Sequence, residues 1–566
     1  MARALVRLPA APGRAGDPAV PGEIGDLAVA LFVRLAGARP EAPAALLDSS
    51  DHAVSPAPER SRHSILAFSW GPLAEEVTHA RGVTTARTAS GCRSGEEPFF
   101  AWLRENWEIS AGGQEAAVPF QLGWVGWLGY GLKRETGSPD GAATSAPDGQ
   151  AWVPPADAQL FRATHAVVID HHAGSLQTQS LQEDPSWEQE VSAAVADLLG
   201  DGKAPARAEA DPVRAEASAQ TPAQQAPAQQ APIQLSSLQV RDGRESYLEK
   251  IRAAQEEIRR GTTYEVCLTT AVTAELGAQA PDDGGARSPS GLELFARLRE
   301  RNRAPFTQYL RLPGTAGRDE EGGNDTGRAG VEILSTSPER YLSITPTGLD
   351  PAGLAPAAES PGSGREGLTV RSEPIKGTRP RGADPQEDAA LAQDLRTHPK
   401  DRAENVMITD LVRNDLSVHA VPGSLRTERL CAVESYPSVH QMVSTVSARL
   451  EPGIHPAEVV SAAFPPGSMT GAPKISTMDI LEQLETGPRG PYSGVAGYFS
   501  RSGAADLSVL IRTAVLTGGG AARRLHLGLG GAITADSDPE AEWEEIRTKS
   551  AGVLGALGAE FPSSQG

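Results

Sequence analysis

The sequence has few cysteines, few aromatic residues and no excess of basic charge, and each shortage excludes a class of protein. Three cysteines, Cys92, Cys267 and Cys431, are scattered over 566 residues. They fit neither a disulfide framework nor a zinc-ligand spacing, which predicts a reducing compartment such as the cytoplasm. The formal net charge is −20 and aromatic residues make up 5%. No basic run is interleaved with aromatic residues, so no nucleic-acid partner is expected.

Long apolar runs are also missing. Arg3 and Arg7 are not followed by the apolar segment of a signal peptide. The apolar run 27–35 is too short to span a membrane. Residues 467–474 have the look of a phosphate-binding loop, but the Walker spacing fails and Pro473 interrupts it. We therefore expect a cytoplasmic protein with no membrane contact and no nucleotide site.

The composition changes along the chain and predicts its organisation. Residues 1–22 are rich in Pro, Ala, Gly and Arg, and we expect them to be disordered. Residues 201–240 repeat Ala, Gln and Pro without an apolar period, which is typical of a flexible linker. The linker separates an N-terminal domain, 23–200, from a second domain, 241–558. Both contain predicted strands and helices in irregular alternation, which indicates the α+β class.

Two predicted helices in the C-terminal half of the chain each carry a pair of acidic residues. After a His-Pro break, one helix presents Asp401 and Glu404, which share a face because they are three residues apart. The last helix presents Glu542 and Glu545 in the same way, with Lys549 one turn further. Two such faces could converge on a hard cation such as Mg²⁺, which takes oxygen ligands. Either pair alone is more simply interpreted as a solvated helix face.

A strand running into a cationic turn, 371–382, contains one lysine between an isoleucine and a glycine. If Lys376 is desolvated there, its pKa falls and its amine becomes a nucleophile. A solvated turn lysine is the simpler interpretation of this stretch by itself. Three neighbouring residues could add cationic charge that lowers the pKa further: Arg371, Arg379 and Arg381.

Several motifs occur together in an order that identifies a family. The chain resembles the chorismate-utilising enzymes, which include anthranilate synthase component I, isochorismate and salicylate synthases, and aminodeoxychorismate synthase component I. The resemblance is strong over 244–553 and weaker over 40–180. It rests on the stretches 337–340, 374–382, 400–415, 466–474, 511–513 and 528–549. It implies an α/β sandwich with two large antiparallel-rich sheets around the site.

The resemblance also implies ligand roles. Glu404 and Glu545 look like direct Mg²⁺ ligands, with Asp401 and Glu542 in support, and the ion would hold the ring carboxylate of chorismate. Glu339 resembles the general acid that protonates the departing C4 hydroxyl. The other residues implied at the site are His440 beside the ring, Arg512 and Tyr498 on the pyruvyl carboxylate, and Thr378, Lys549, Gly528, Gly530 and Gly531 for the remaining contacts.

Lys376 indicates which branch of the family the chain resembles. Anthranilate synthases usually carry alanine in this Pro-Ile-x-Gly-Thr motif, whereas aminodeoxychorismate synthases carry lysine. Its amine can add at C2 as the C4 hydroxyl leaves, and ammonia then adds at C4 and expels the lysine. Within the resemblance, Glu265 supports this branch by exclusion, since isochorismate and salicylate synthases place a water-activating lysine at this position and this chain does not. Asp48 and Ser49 match a segment that forms a tryptophan pocket in some relatives.

The resemblance therefore implies the synthase subunit of an aminodeoxychorismate synthase, serving folate or another p-aminobenzoate-derived product. Chorismate and ammonia would be the substrates and Mg²⁺ the cofactor. Because no Gly-x-Cys-x-Gly turn of a glutaminase occurs, we expect ammonia from a glutamine amidotransferase partner. The alternatives are anthranilate synthase component I, disfavoured by Lys376, and a non-catalytic chorismate-binding subunit.

Overall fold

A computed structural model describes most of the chain. The described residues are 2–7, 21–49, 51–110, 118–138, 152–200, 233, 235–277, 289–314, 330–346, 367–518 and 523–562. The predicted linker therefore lies largely outside them, as do most of residues 1–22.

The strands of the first sheet come from both halves of the sequence. They are β1 (Ala2–Arg7), β2 (Ala44–Asp48), β3 (His63–Phe68), β9 (His165–Asp170), β10 (Ser175–Ser180), β11 (Leu235–Val240), β12 (Glu265–Leu276), β13 (Phe306–Leu312), β14 (Val331–Ser337), β20 (Gly471–Ala472), β23 (Thr513–Thr517) and β24 (Arg524–Ile533).

The second sheet has the same mixed origin. Its strands are β4 (Glu75–Ala80), β5 (Val83–Thr88), β6 (Gly91–Gly95), β7 (Gly123–Leu128), β8 (Ala158–Ala163), β15 (Arg340–Pro346), β16 (Leu368–Glu373), β17 (Ile375–Pro380), β18 (Arg426–Ser435), β19 (Val439–Arg449), β21 (Val495–Ser500) and β22 (Ala505–Val509).

Ten helices accompany these strands in the described part of the chain. They are α1 (Pro21–Gly37), α2 (Phe99–Asn106), α3 (Pro185–Gly200), α4 (Arg244–Arg259), α5 (Gly291–Arg301), α6 (Pro385–Thr397), α7 (Pro399–Ser417), α8 (Pro456–Ala463), α9 (Lys474–Leu484) and α10 (Pro539–Ala556). None of them is long and apolar enough to cross a membrane.

The two sheets pack face to face, and helices cover their outer faces. The first sheet runs β1-β10-β9-β3-β2-β13-β14-β23-β24-β12-β11, with β20 beside β12. The second runs β17-β19-β16-β15-β22-β21-β7-β8-β4-β5-β6, with β18 beside β19. One apolar core lies between the sheets, around Trp127, Phe161 and Val168. Two further cores join each sheet to its own helices. The expected α+β class with two large antiparallel sheets is confirmed.

Each sheet contains strands from both sides of the predicted linker. Strand β2 pairs with β13 in the first sheet, and β7 pairs with β21 in the second. Each sheet is therefore completed by hydrogen bonds between segments on opposite sides of the linker. Two segments predicted to be irregular also contain strands. β1, at the start of residues 1–22, pairs with β10, although disorder was expected, and β11, at the end of the predicted linker, pairs with β12.

The helices that carry the acidic pairs form where the sequence predicts them. Helix α6 ends before a His-Pro break, and α7 starts with Pro399 in its first turn. Proline suits this position because the first helical N–H has no partner within the helix. The ring of His398 accepts the backbone N–H of Asp401. At α10, the carboxylate of Asp538 caps the helix by accepting from the N–H of Ala541 at 2.9 Å.

Candidate active site

Lys376 and Glu265 form a buried ion pair that joins the two sheets. Lys376 lies on β17 of the second sheet, and its Nζ donates to Oε1 of Glu265 on β12 of the first sheet at 2.6 Å. The Glu265 side chain is fully buried and that of Lys376 is 11% exposed. Burial alone would lower the pKa of Lys376, but the nearby carboxylates, above all Glu265, raise it well above the ordinary value. The resting amine is therefore protonated.

The expected lowering of the Lys376 pKa by neighbouring arginines is wrong. The guanidinium of Arg379 contacts the carboxylates of Asp394 and Asp401, at 2.7 and 2.8 Å. Arg381 donates to Asp388 in the same way. These cations are neutralised by their own partners, and a carboxylate contacts the lysine instead.

Glu339 is a buried acid close to Lys376. It follows β14, is 5% exposed, and its carbonyl accepts the N–H of Val509 at 3.0 Å. Burial raises the pKa of Glu339 from 4.5 to about 7, and the hydroxyl of Ser468 and the charge of Lys376 oppose the rise. A carboxyl group with this pKa is partly protonated near neutral pH and can act as a general acid.

Helices α7 and α10 bring three of the four predicted acidic residues together. Lys400 bridges the helices, because its Nζ lies 3.1 Å from Glu542 Oε1 and 3.8 Å from Glu404 Oε1. Burial raises the pKa of Glu404 to about 7, and the charges of Glu265 and Glu542 add to the rise. Glu545 pairs with Lys549 at 2.7 Å, and this cation lowers the pKa of the Glu545 carboxyl.

The chemistry of these donors fits a hard divalent cation. Among the described residues, Oε2 of Glu265 and Oε2 of Glu542 are buried without a hydrogen-bond partner, and carboxylate oxygens are the type of ligand that Mg²⁺ prefers. Within the described ranges, no group of three or more His, Cys, Asp or Glu side chains converges closely enough to hold a metal ion. Lysine amines instead contact the carboxylates.

The glycine strand β24 lies against Lys549 and Tyr492. Lys549 donates to the carbonyl of Gly530 at 2.9 Å. A Cβ atom added at Gly528 would lie 2.1 Å from the ring of Tyr492, and one at Gly530 would lie 3.1 Å from its hydroxyl. Only glycine leaves room for this ring. Tyr492, which the sequence analysis did not single out, therefore packs against two glycines that it did.

Tyr498, the predicted tyrosine, lies elsewhere. It belongs to β21 and packs edge to face on Phe120, with ring centroids 5.2 Å apart. It lines a cavity of about 330 Å³ together with Asp48, Ser49, Arg60 and Phe306. Lys376 does not line this cavity. The structure therefore places Tyr498 away from Lys376, whereas Tyr492, in the Gly-Pro-Tyr-Ser-Gly turn before β21, lies against the glycine strand.

Arg512 lies at the same end of the β21–β22 hairpin as Tyr492. The backbone of Leu510 bonds to that of Ser493 and Gly494, at 3.1 and 2.8 Å, which brings residues 492 and 512 to one end of this hairpin. Arg512 has a φ of 50°, a strained value for a non-glycine residue. Burial lowers its pKa, and its side chain has no ion pair within the described residues. A desolvated guanidinium of this kind suits a carboxylate ligand.

Two predicted site residues have other partners, and a third is exposed. Asp401 bonds to Arg379 rather than to the lysines of the cluster. His440 is buried, with Nδ1 2.8 Å from Ser435 Oγ and Nε2 3.0 Å from Asp388 Oδ1. Thr378 is exposed on β17. Their predicted roles remain predictions.

The fold and the acidic, lysine-containing site together match one class of enzyme. The sequence matches the family of chorismate binding enzymes over residues 62–353 and 363–555, and the chain belongs to this family. It is 40% identical over 528 residues to aminodeoxychorismate synthase from Streptomyces griseus, covering 92% of this chain and 61% of that protein. It is 38% identical over 314 residues to aminodeoxychorismate synthase component 1 from Klebsiella aerogenes, covering 56% of this chain and 58% of the relative.

A solved structure confirms the fold. Anthranilate synthase component I from Streptococcus pneumoniae superimposes with a TM-score of 0.60 at 22% identity, covering 87% of this chain and 92% of that one. Identity at this level supports the architecture alone. The chain spans about three fifths of the length of the relatives named aminodeoxychorismate synthase.

Proposed function

We propose that this chain is the synthase component of an aminodeoxychorismate synthase, which converts chorismate and ammonia to 4-amino-4-deoxychorismate. The proposal rests mainly on the buried ion pair of Lys376 and Glu265. Close to it lies Glu339, an acid whose pKa is raised to about 7. The similarity to relatives of that name supports the same branch.

The first step uses Lys376 as the nucleophile. Its amine must lose a proton, and Glu265 Oε1, at 2.6 Å, is the acceptor already in contact. The nitrogen then adds to C2 of the ring while the bond from C4 to its hydroxyl breaks. Glu339 gives its proton to that hydroxyl, which leaves as water. A buried acid with a pKa of about 7 suits this transfer at neutral pH.

The second step replaces the lysine. Ammonia adds at C4, the bond between C2 and Lys376 breaks, and the released amine recovers a proton from Glu265. The new ammonium group at C4 then returns a proton to Glu339, which restores the acid for the next cycle. Pyruvate is retained, because neither step touches the enolpyruvyl group. The ammonia would come from a glutamine amidotransferase partner, which the name "component 1" of a relative supports.

The remaining residues hold the substrate. Arg512 and Tyr492 suit the pyruvyl carboxylate, and Lys549 with the Gly530 backbone lies where it can hold the ring carboxylate. Glu404, Glu542 and Glu545 would hold Mg²⁺, which would supply positive charge to that carboxylate. A cytoplasmic location is part of the proposal and is supported by the free cysteines Cys92, Cys267 and Cys431.

Product analysis tests the proposal directly. The purified chain is incubated with chorismate, an ammonium salt and Mg²⁺, and the products are separated by chromatography. We expect 4-amino-4-deoxychorismate. Anthranilate as the main product would instead identify the chain as anthranilate synthase component I, and no conversion would favour a non-catalytic chorismate-binding subunit.

A further inference from the structure

Lys400 links the two acidic helices of the site. It lies in the first turn of α7, four residues before Glu404, so the two side chains share a helix face. Its Nζ also reaches across to Glu542 on α10 at 3.1 Å. The Lys400 side chain is 40% exposed, whereas those of Glu404 and Glu542 are 10% and 3% exposed. A partly exposed cation therefore neutralises two buried carboxylates and has a direct path to solvent.

The carboxylates need this positive charge. Both carboxylates are buried and approach the same ammonium group, at 3.8 Å for Glu404 and 3.1 Å for Glu542. The other oxygen of Glu542, Oε2, is buried without a hydrogen-bond partner among the described residues. Two buried acids of like charge are stable as anions only with a cation beside them. Lys400 supplies one charge on a flexible stem, while a divalent ion would supply two.

We propose that Lys400 is a built-in, displaceable counterion that competes with the divalent cation for Glu404 and Glu542. The inference rests on the proposed function, because it concerns the same metal site. The ammonium group and a divalent ion cannot both contact Oε1 of Glu542 at close range. Binding of the ion therefore requires Lys400 to turn toward solvent, and the lost ion pairs weaken the observed affinity for the ion.

The test measures Mg²⁺ binding by isothermal titration calorimetry on the full chain without chorismate, at about pH 8. Lys400→Gln removes the competing charge, and we expect Mg²⁺ to bind on the order of tenfold more tightly, the size of two partly exposed ion pairs. Lys400→Arg retains the charge and should bind like the wild type. Arg402→Gln is the matched control, because it removes a charge from an exposed position on the same helix.

Thermal unfolding provides a second measurement. Without Mg²⁺, Lys400→Gln should unfold at a lower temperature than the wild type, since two buried carboxylates lose the ammonium group that both approach. Saturating Mg²⁺ should remove most of that difference, because ligands stabilise the state that they bind.

The outcomes separate this inference from the proposed function. Equal or weaker Mg²⁺ binding by Lys400→Gln overturns the counterion role and leaves the proposed reaction standing. An equal gain in affinity in Arg402→Gln also overturns it, because the effect would then be one of overall charge. If neither the wild type nor Lys400→Gln binds Mg²⁺, the metal assignment and the counterion role both fail. Product analysis with chorismate and ammonium tests the reaction independently.

Discussion

Replacing Glu339 by glutamine removes a carboxyl group that both its burial and its proposed role as general acid keep protonated. Burial raises its pKa from 4.5 to about 7, so the folded protein prefers the protonated group. The protonated fraction is about one half near pH 7 and about one tenth near pH 8. If Glu339 is the general acid, turnover of the wild type should fall as pH rises through about 7. Glu339→Gln should lose turnover by about a hundredfold or more.

The same substitution should stabilise the fold at high pH. Because the folded pKa is raised, the stabilising preference for the protonated group is fully present below 4.5 and is lost as pH rises through about 7. A rise of about 2.5 pKa units corresponds to about 3 kcal/mol. Between about pH 5 and pH 9, the stability of Glu339→Gln relative to the wild type should increase by that amount. For a chain of this length, the change in Tm would be about 2 to 3 °C.

The assay is differential scanning calorimetry of both proteins across this pH range, with steady-state turnover on the same samples. Glu458→Gln is a matched control, because it removes a partly exposed carboxylate that pairs with Arg104 at 2.9 Å, and it should change neither property with pH. Full turnover in Glu339→Gln would refute its role as the acid. A stability difference that does not vary with pH would refute the raised pKa.

Three further predictions follow from the site. Lys376→Ala should slow aminodeoxychorismate formation by about a hundredfold or more, and mass spectrometry of wild type quenched with chorismate but no ammonia should find an adduct on Lys376; full activity without an adduct excludes the covalent step. Glu404→Gln and Glu545→Gln should each lose Mg²⁺-dependent turnover with an unchanged circular dichroism spectrum, and normal activity at ordinary Mg²⁺ would contradict the metal assignment. Tyr492→Phe should raise KM for chorismate by about tenfold, while Tyr498→Phe leaves it unchanged; the reverse result would restore the sequence-based choice.

The source of nitrogen offers an additional check. The purified chain should use ammonium salts but not glutamine, and a glutamine amidotransferase partner should restore glutamine use. Glutamine-dependent turnover by the chain alone would show that the predicted partner is unnecessary.

The sequence alone determined the features that depend on neighbouring residues. The break before Pro399 and the cap at Asp538 start two helices, and the spacing of three residues within each helix puts paired acids on one face. The glycines of β24 and the motif around Lys376 were recognisable as short stretches. Family resemblance added the expectation of two antiparallel sheets, which the topology confirms.

Only the tertiary structure decided which side chains meet. Lys376 and Glu265 are 111 residues apart in sequence, and their contact raises a lysine pKa that local arginines were expected to lower. Tyr492, rather than Tyr498, contacts the glycine strand β24, because the turn before β21 lies against that strand and Tyr498 lies further along, within β21. Strands from both sides of the linker share each sheet. Such contacts form between residues that are far apart in sequence. Short sequence patterns do not specify them, because they depend on how the sheets and helices pack and on which charged side chains become neighbours.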